Sequence, residues 1–172
     1  MSKTIIKNNS ISIVELDASM YQDVWQNSLD EDNRRFVPDE VFETLDAAKE
    51  VVDYLIKCYQ SSGGPFVYAV IKNEDQTNLG YVQLVNITEG WEIGYHIAKR
   101  YTGNGYASEA VMLFLQYLKR YKKLDKIYGV ALIDNFASRR VLEKNGFEFF
   151  FEGEGDYQGT KRKIVKSIKR LR

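Results

Sequence analysis

Residues 97–110 read Ile97-Ala98-Lys99-Arg100-Tyr101-Thr102-Gly103-Asn104-Gly105-Tyr106-Ala107-Ser108-Glu109-Ala110. An apolar strand ends at Ile97, two glycines bracket an asparagine, and the apolar spacing beyond them is helical. A strand, a glycine turn and a helix start in this order aim several backbone N–H groups at one point. The helix terminus adds partial positive charge there, so the turn suits an anion such as a pyrophosphate. Its glycines let the backbone approach a ligand with no Cβ in the way. Gly-Asn-Gly is also an ordinary loop signal before a helix. It is not a Walker loop, because Tyr106 follows Gly105 where Lys-Ser/Thr is needed, and the third glycine of a dinucleotide fingerprint is missing. What surrounds the turn therefore decides its meaning.

Working outward, the turn is preceded by three strand-like runs: Phe66 to Ile71, Leu79 to Ile87 and Trp91 to Ile97. They suggest an antiparallel meander. After the turn, Ala107, Ala110, Val111, Phe114, Leu118 and Tyr121 recur at helical spacing from Tyr106 to Tyr121. Lys126 to Leu132 reads as a short strand, and Asn135 to Lys144 as a helix ended by Asn145-Gly146. Phe147 to Phe151 and Lys163 to Ile168 read as two last strands. At the other end, Ser10 to Leu16 is a first strand, and Asp17 or Ser19 caps a helix through Leu29. Asp30 to Arg35 is polar and reads as a loop. Thr44 caps a helix to about Gln60, with Leu45, Ala48, Val51, Val52, Leu55 and Ile56 on its buried face. The order is βααβββαβαββ, an α/β layer fold on a mixed sheet, and nothing divides the 172 residues into more than one domain.

A content of 44% hydrophobic and 28% charged residues is that of a soluble globular chain, and zero net charge gives no global pull toward nucleic acid or membrane. The charge is uneven. Seven basic and no acidic residues fall between Thr160 and Arg172, leaving 17 basic against 24 acidic elsewhere. Such a basic end suits polyanions or, more simply, a charged edge strand. One cysteine, Cys58, excludes an internal disulfide, and one histidine with one cysteine argues against a zinc site. There is no apolar leader and no run of 18 apolar residues, so a cytoplasmic location is expected.

The glycine turn, the strand after the helix and Asn135-Phe136-Ala137-Ser138-Arg139-Arg140-Val141-Leu142-Glu143-Lys144-Asn145-Gly146-Phe147 together resemble the GNAT superfamily of acetyl-CoA-dependent N-acetyltransferases. The resemblance covers nearly the whole chain. Gly94-Tyr95-His96-Ile97, followed by Tyr101 to Ala110, is similar to the ribosomal-protein-alanine and -serine N-acetyltransferase branch, as is Asn-x-x-Ser-x-Arg-Val-Leu-Glu-Lys-x-Gly-Phe. The resemblance implies a GNAT fold: a mixed, mostly antiparallel central sheet flanked by helices on both faces. The superfamily turn is Gln/Arg-x-x-Gly-x-Gly/Ala. Arg100-x-x-Gly103-x-Gly105 fits its letters, while the neighbouring residues favour Thr102-x-x-Gly105-x-Ala107.

The resemblance further implies direct transfer of an acetyl group from the thioester to a primary amine. Acetyl-CoA is the expected cosubstrate, with Ile97, Thr102, Gly103, Asn104, Gly105, Tyr106, Ala107, Ser108, Asn135 and Arg139 as its binding residues. Asn135 equally suits a plain helix N-cap. The superfamily's general-acid tyrosine is replaced by Leu142. The serine of Asn-x-x-Ser matches Ser138, which is the candidate acid, although mid-helix serines are often merely tolerated. Glu92 and His96 share one face of their strand and are the candidate bases, His96 equally suiting a packing or pairing role. Arg35 and Phe36 fall where the family builds its acceptor site, in a region made acidic by Glu31, Asp32, Asp39, Glu40 and Glu43. A protein N-terminal amine is the expected acceptor. A polyamine or aminoglycoside-like amine is the alternative, and a non-catalytic acyl-CoA sensor is the alternative of another class. No metal, nucleic acid or membrane partner is expected, and a homodimer is left open.

Overall fold

The computed structural model describes residues 2–172. An eight-stranded sheet runs through it: β1 (Thr4–Lys7), β2 (Ile11–Glu15), β3 (Phe66–Lys72), β4 (Asn78–Ile87), β5 (Gly90–Ile97), β6 (Lys126–Leu132), β7 (Glu148–Tyr157) and β8 (Thr160–Arg170). Their spatial order is β1-β2-β3-β4-β5-β6-β8-β7. Every neighbouring pair is antiparallel except β5–β6, which is parallel. Helices α1 (Tyr21–Ser28), α2 (Glu31–Phe36) and α3 (Leu45–Cys58) lie between β2 and β3 in sequence. Helix α4 (Tyr106–Tyr121) links β5 to β6, and α5 (Phe136–Lys144) links β6 to β7.

Strand alternation divides the core between the two faces of the sheet. Ile11, Ile13, Tyr68 and Val70 point to one face, where Phe114 and Leu118 of α4 and Leu142 of α5 cover them. Val14, Val67, Ala69 and Ile71 point to the other and meet Val52 of α3, with Val24 and Leu55 beside it. Helices thus flank both faces. Helix α4 buries Ala110, Val111, Leu113, Phe114, Leu115 and Leu118, and each large side chain contributes roughly 1.5–3 kcal/mol on burial. Tyr121, expected on that face, is 58% exposed, and its ring packs on Tyr117 instead.

Four details differ from the sequence reading. Strand β1 is additional: Asn8 Oδ1 accepts from the N–H groups of Ser10 and Ile11 at 2.9 and 2.8 Å, closing a hairpin that Asn-Asn-Ser leaves inconspicuous. Helix α2 replaces the expected polar loop. Only Asn33 of its six residues is buried, so no apolar period betrays it; its cap does the work, with Asp30 Oδ1 accepting from Asn33 N at 2.8 Å. Strand β7 continues through the acidic, glycine-containing run to Tyr157, because its carboxylates stand opposite cations of β8: Glu154 against Lys163 and Asp156 against Lys161. The basic C-terminal strand is therefore not the edge strand that its charge suggests. It is paired on both sides, and β7 forms the edge.

Gly80 fixes the end of the meander. Its φ is +151°, and a Cβ there would lie 2.0 Å from the His96 carbonyl oxygen. Gly80→Ala should therefore push β5 away from β4, on top of roughly 1–3 kcal/mol of backbone strain. A clear drop in the urea unfolding midpoint is expected; an unchanged midpoint would show that the two strands do not need this close approach.

Candidate active site

Among the described residues, the one parallel pairing of the sheet is also its shortest. β5 and β6 are in register only at Glu92–Tyr128 and Ile93–Gly129. Beyond Ile93 the strands part. Ala98 N donates to Leu79 O at 2.9 Å, toward β4. By alternation, the N–H and C=O groups of Tyr95 and Ile97 face the opposite way, into the gap left by β6. A cleft of about 740 Å³ opens there, bounded by β5, β6, α5, the α2 segment and the end of β7.

The glycine turn stands at one end of this cleft. Gly103 and Gly105 have φ of +87° and +79°, and a Cβ on either would meet nothing within 4 Å. The glycines are needed for backbone conformation rather than for space in the chain itself. Gly105 is the N-cap of α4, whose first-turn N–H groups lack intrahelical partners and so face a prospective anion. Asn104 Nδ2 and Thr102 Oγ1 brace the turn by donating to the carbonyls of Tyr101 and Lys99. The two registers of the motif now separate. Arg100 turns away, Nη2 donating to Asn27 Oδ1 at 2.6 Å, whereas Thr102 and Ala107 line the cleft. The frame Thr102-x-x-Gly105-x-Ala107 is the one that faces it. Tyr106 packs toward the core, and Ser108 is tied to the end of α5 by Asn145 Nδ2 at 3.3 Å.

Ser138 and Asn135 line the opposite wall. Asn135 Oδ1 caps α5 by accepting from Ser138 N at 3.2 Å. Tyr95 reaches across the gap. Its Oη donates to the Ser138 carbonyl at 2.9 Å and lies 2.9 Å from Ser138 Oγ. Burial pushes the Tyr95 hydroxyl above its ordinary range, and the Ser138 hydrogen bond opposes this. Leu142 is 1% exposed and sits in the core, so no side chain of α5 projects a tyrosine hydroxyl here. Arg139 folds back, Nη1 donating to Ile133 O at 2.8 Å with its guanidinium over the Phe136 ring, and stays outside the cleft lining.

On the other face of β5, Glu92 and His96 both line the cleft. Burial raises the Glu92 carboxyl to about 7, the charges of Glu40 and Glu89 add to this, and Lys166 opposes it. Glu40 is likewise raised, first by burial. It accepts from Gln83 Nε2 at 3.0 Å and from the Tyr81 hydroxyl. His96 Nε2 lies 3.0 Å from Asp30 Oδ2, the N-cap residue of α2. Burial works to raise Asp30, but hydrogen bonds from His96, Lys99 N and Asn33 N outweigh it and hold the carboxyl at about 2.

The α2 segment closes the site. Tyr157 Oη donates to Phe36 O at 2.6 Å, and Asp39 N donates to Gln158 Oε1 at 3.2 Å, joining the segment to the β7–β8 hairpin tip. Arg35 bridges to Asp134 at 2.9 Å and is 63% exposed at its side chain, outside the cleft lining. Phe36 lines the cleft. The sequence reading missed Tyr95, Tyr157 and the particular place of Glu40. Alternation sends Tyr95 to the core face, and only the parting of the strands frees it to meet α5. Glu40 belongs to a three-residue 3-10 turn with no apolar period.

The sequence pattern of the acetyltransferase (GNAT) domain matches residues 12–148, and the chain belongs to this family. It is 33% identical over 103 residues to the probable N-acetyltransferase YjcK of Bacillus subtilis (strain 168), a match covering 58% of this chain and 52% of that protein. The chain thus spans about half the length of that relative. The crystal structure of a GNAT-family acetyltransferase from Bacillus anthracis superimposes with a TM-score of 0.83 at 22% identity, covering 99% of each chain. RimL, a ribosomal L7/L12 α-N-protein acetyltransferase in complex with coenzyme A, does so with a TM-score of 0.83 at 16% identity, covering 98% of each.

Glu92 links the site to stability. Its folded pKa lies above the unfolded value, so its contribution is fully present below about pH 4.5 and is lost as pH rises through about 7. Glu92→Gln should therefore stabilise the fold by roughly 1–3 kcal/mol at pH 8 and leave it unchanged near pH 4. Urea unfolding at the two pH values checks this. Equal effects at both would place Glu92 in ordinary solvent.

Proposed function

We propose that this chain is an acetyl-CoA-dependent N-acetyltransferase acting on a primary amine, and on the α-amine of a protein N-terminus in particular. The observation that carries the proposal is a carboxyl group held near pKa 7 in the same cleft as the free backbone edge of β5. The chain's features fit acetyl-CoA. The first turn of α4 with Gly103 and Gly105 suits its pyrophosphate. The outward-facing amides of Tyr95 and Ile97 suit its pantetheine amides and thioester carbonyl. Asn135 stands at the same wall. When bound, acetyl-CoA supplies the acetyl group, whose C–S bond breaks as the amine's N–C bond forms.

The residues then divide the proton work. Glu92 takes the proton of the incoming ammonium, directly or through water. The acceptor's pKa decides how hard that is. From an α-amine of pKa ~7.8 to a carboxylate near 7, transfer is uphill by only about 1 kcal/mol; from a lysine of pKa ~10.4 it is uphill by roughly 4.6 kcal/mol. This difference favours an N-terminal amine. Ser138 Oγ is the proposed proton donor to the departing thiolate, with Tyr95 orienting it from across the gap. His96, held by Asp30, fixes the α2 segment beside Glu92. The likeness in fold to RimL, a ribosomal L7/L12 α-N-protein acetyltransferase, is consistent with this acceptor. A small polycationic amine is the second reading, favoured by the carboxylates of Glu40, Glu89 and Glu92 lining one cleft. A cytoplasmic location completes the proposal, since that is where acetyl-CoA and nascent N-termini meet.

Thiol release from acetyl-CoA should occur with peptides bearing free N-termini. It should not occur with N-blocked peptides carrying lysine, with polyamines or with aminoglycosides; release with small amines alone would transfer the assignment to them. Ser138→Ala should lower kcat about 10²-fold or more while sparing acetyl-CoA affinity, and unchanged turnover would remove Ser138 from the mechanism. Gly105→Val, forced to φ near +79°, should lose acetyl-CoA binding; retained affinity would move the pyrophosphate elsewhere.

A further inference from the structure

The face of the sheet that carries Glu92 is covered by helices over only part of its width. The buried cluster beneath α1 and α3 takes its strand residues from β2 and β3, with Tyr81 of β4 beside them. Among the described residues, none from β6, β7 or β8 joins it. Alternation along β6 and β8 tells the same story. Ile127, Gly129 and Ser167 are buried on the opposite face, where a Cβ on Gly129 would lie 2.7 Å from the Leu142 side chain of α5. Tyr128, Val130, Lys166 and Ile168 alternate with them and are only partly buried. No helix covers this half of the Glu92 face.

Strand β7 adds aromatic surface to it through a bulge. The β7–β8 register shifts between Phe149 and Phe151, so Phe150 and Phe151 share a face instead of alternating. Phe150 meets Tyr128 edge to face at 6.2 Å between ring centres, and the Lys166 ammonium lies 5.6 Å above the Phe151 ring. The two phenylalanines are nevertheless 55% and 40% exposed. This apolar row begins at the site itself. Glu92 is in register with Tyr128, Tyr128 with Ile168, and Ile168 with Glu148 at the start of β7. Tyr128 and Phe150 line the same cleft as Glu92. At roughly 4.8 Å between strands, β7 lies about 14 Å from Glu92. An extended peptide covers that distance in about four residues, and the Phe150 ring reaches back over part of it toward Tyr128.

We propose that Tyr128, Phe150 and Phe151 form an acceptor subsite for a large apolar side chain at the second or third residue of a peptide, a subsite that rests on the reading of Glu92 as the group that receives the acceptor's proton. Continuity with Glu92 commits this open face to the acceptor chain. Lys166 decides between an apolar side chain and a second cation. Its ammonium already occupies the Phe151 ring and lies 3.9 Å from Glu89. The far ammonium of a polyamine would therefore meet a like charge where the aromatic surface would otherwise attract it. An apolar side chain meets no such opposition and withdraws exposed aromatic surface from water.

Calorimetric titration of the protein saturated with coenzyme A, which has no acetyl group to give, reads acceptor affinity without turnover. The probes are the C-terminally amidated tetrapeptides Ala-Ala-Ala-Ala, Ala-Phe-Ala-Ala, Ala-Ala-Phe-Ala and Ala-Lys-Ala-Ala. One of the two phenylalanine peptides should bind at least about tenfold more tightly than the alanine peptide, and the lysine peptide should bind no more tightly than the alanine peptide. Phe150→Ala should bring all four to within about threefold of one another. Phe151→Ala is the second variant, and because both rings are exposed their loss spares the core. No saturable binding, equal affinity for alanine and phenylalanine peptides, tighter binding of the lysine peptide, or a contrast that survives both variants would each overturn the proposal. So would a dimer, seen by sedimentation, that Phe150→Ala dissociates, since a second copy would then cover the face. Thiol release from acetyl-CoA with the same peptides separates the subsite from the transferase reading. An affinity contrast without release from any peptide would support the subsite and end that reading; release without a contrast would do the reverse.

Discussion

Two residue pairs, Glu92–Tyr128 and Ile93–Gly129, hold the only parallel contact of the sheet among the described residues, and the geometry of the cleft follows from where that contact ends. A parallel pairing needs a crossover, here the glycine turn and α4, and the crossover delivers a helix N-terminus to the end of β5. Because β6 then leaves, β5 keeps backbone donors and acceptors free next to that helix start. The same parting lets Tyr95 leave the core layer for Ser138. A glycine turn at a helix start, an unpaired strand edge and a hydroxyl pair are thus brought together by one crossover and the interruption in hydrogen bonding that goes with it.

The second constraint is closure by α2. A six-residue helix with one buried side chain cannot be held by apolar burial. It is held by polar links to separate parts of the sheet: Asp30 to His96 and Lys99, Phe36 to Tyr157, Asp39 to Gln158 and Arg35 to Asp134. These bonds keep Glu40 in the same cleft as Glu92, where burial first and the Glu40 charge second raise the affinity of Glu92 for a proton. The same segment therefore shapes one end of the cleft and raises the basicity within it. Exposed ion pairs such as Arg35–Asp134 add little to stability, so the persistence of the arrangement rests on the more buried links of Asp30 to His96 and of Tyr157 to Phe36.

Much of this was legible in the sequence because it rests on local chemistry. The helix from Tyr106 to Tyr121 and the strand from Lys126 to Leu132 follow from apolar periodicity, and the Asn135 cap follows from residue type. Strand alternation was enough to put Glu92 and His96 on one face. What was not legible depends on contacts between distant segments. Helix α2 has no period to read, and β8 looks like an edge strand until its pairing on both sides is seen. Tyr95 looks like a core residue until β6 is known to turn away.

Amide hydrogen exchange, resolved by residue and measured with and without acetyl-CoA, tests the central feature most directly. The N–H groups of Tyr95 and Ile97, and those of Tyr106 to Ser108 at the start of α4, should gain protection on binding. Gly94 and Ala98, whose N–H groups face β4, should change little. Protection of the first set would place the cosubstrate along the free edge of β5 with its phosphates at the glycine turn. No change there, with acetyl-CoA demonstrably bound, would contradict the assignment of the β5–β6 gap as the acetyl-transfer site.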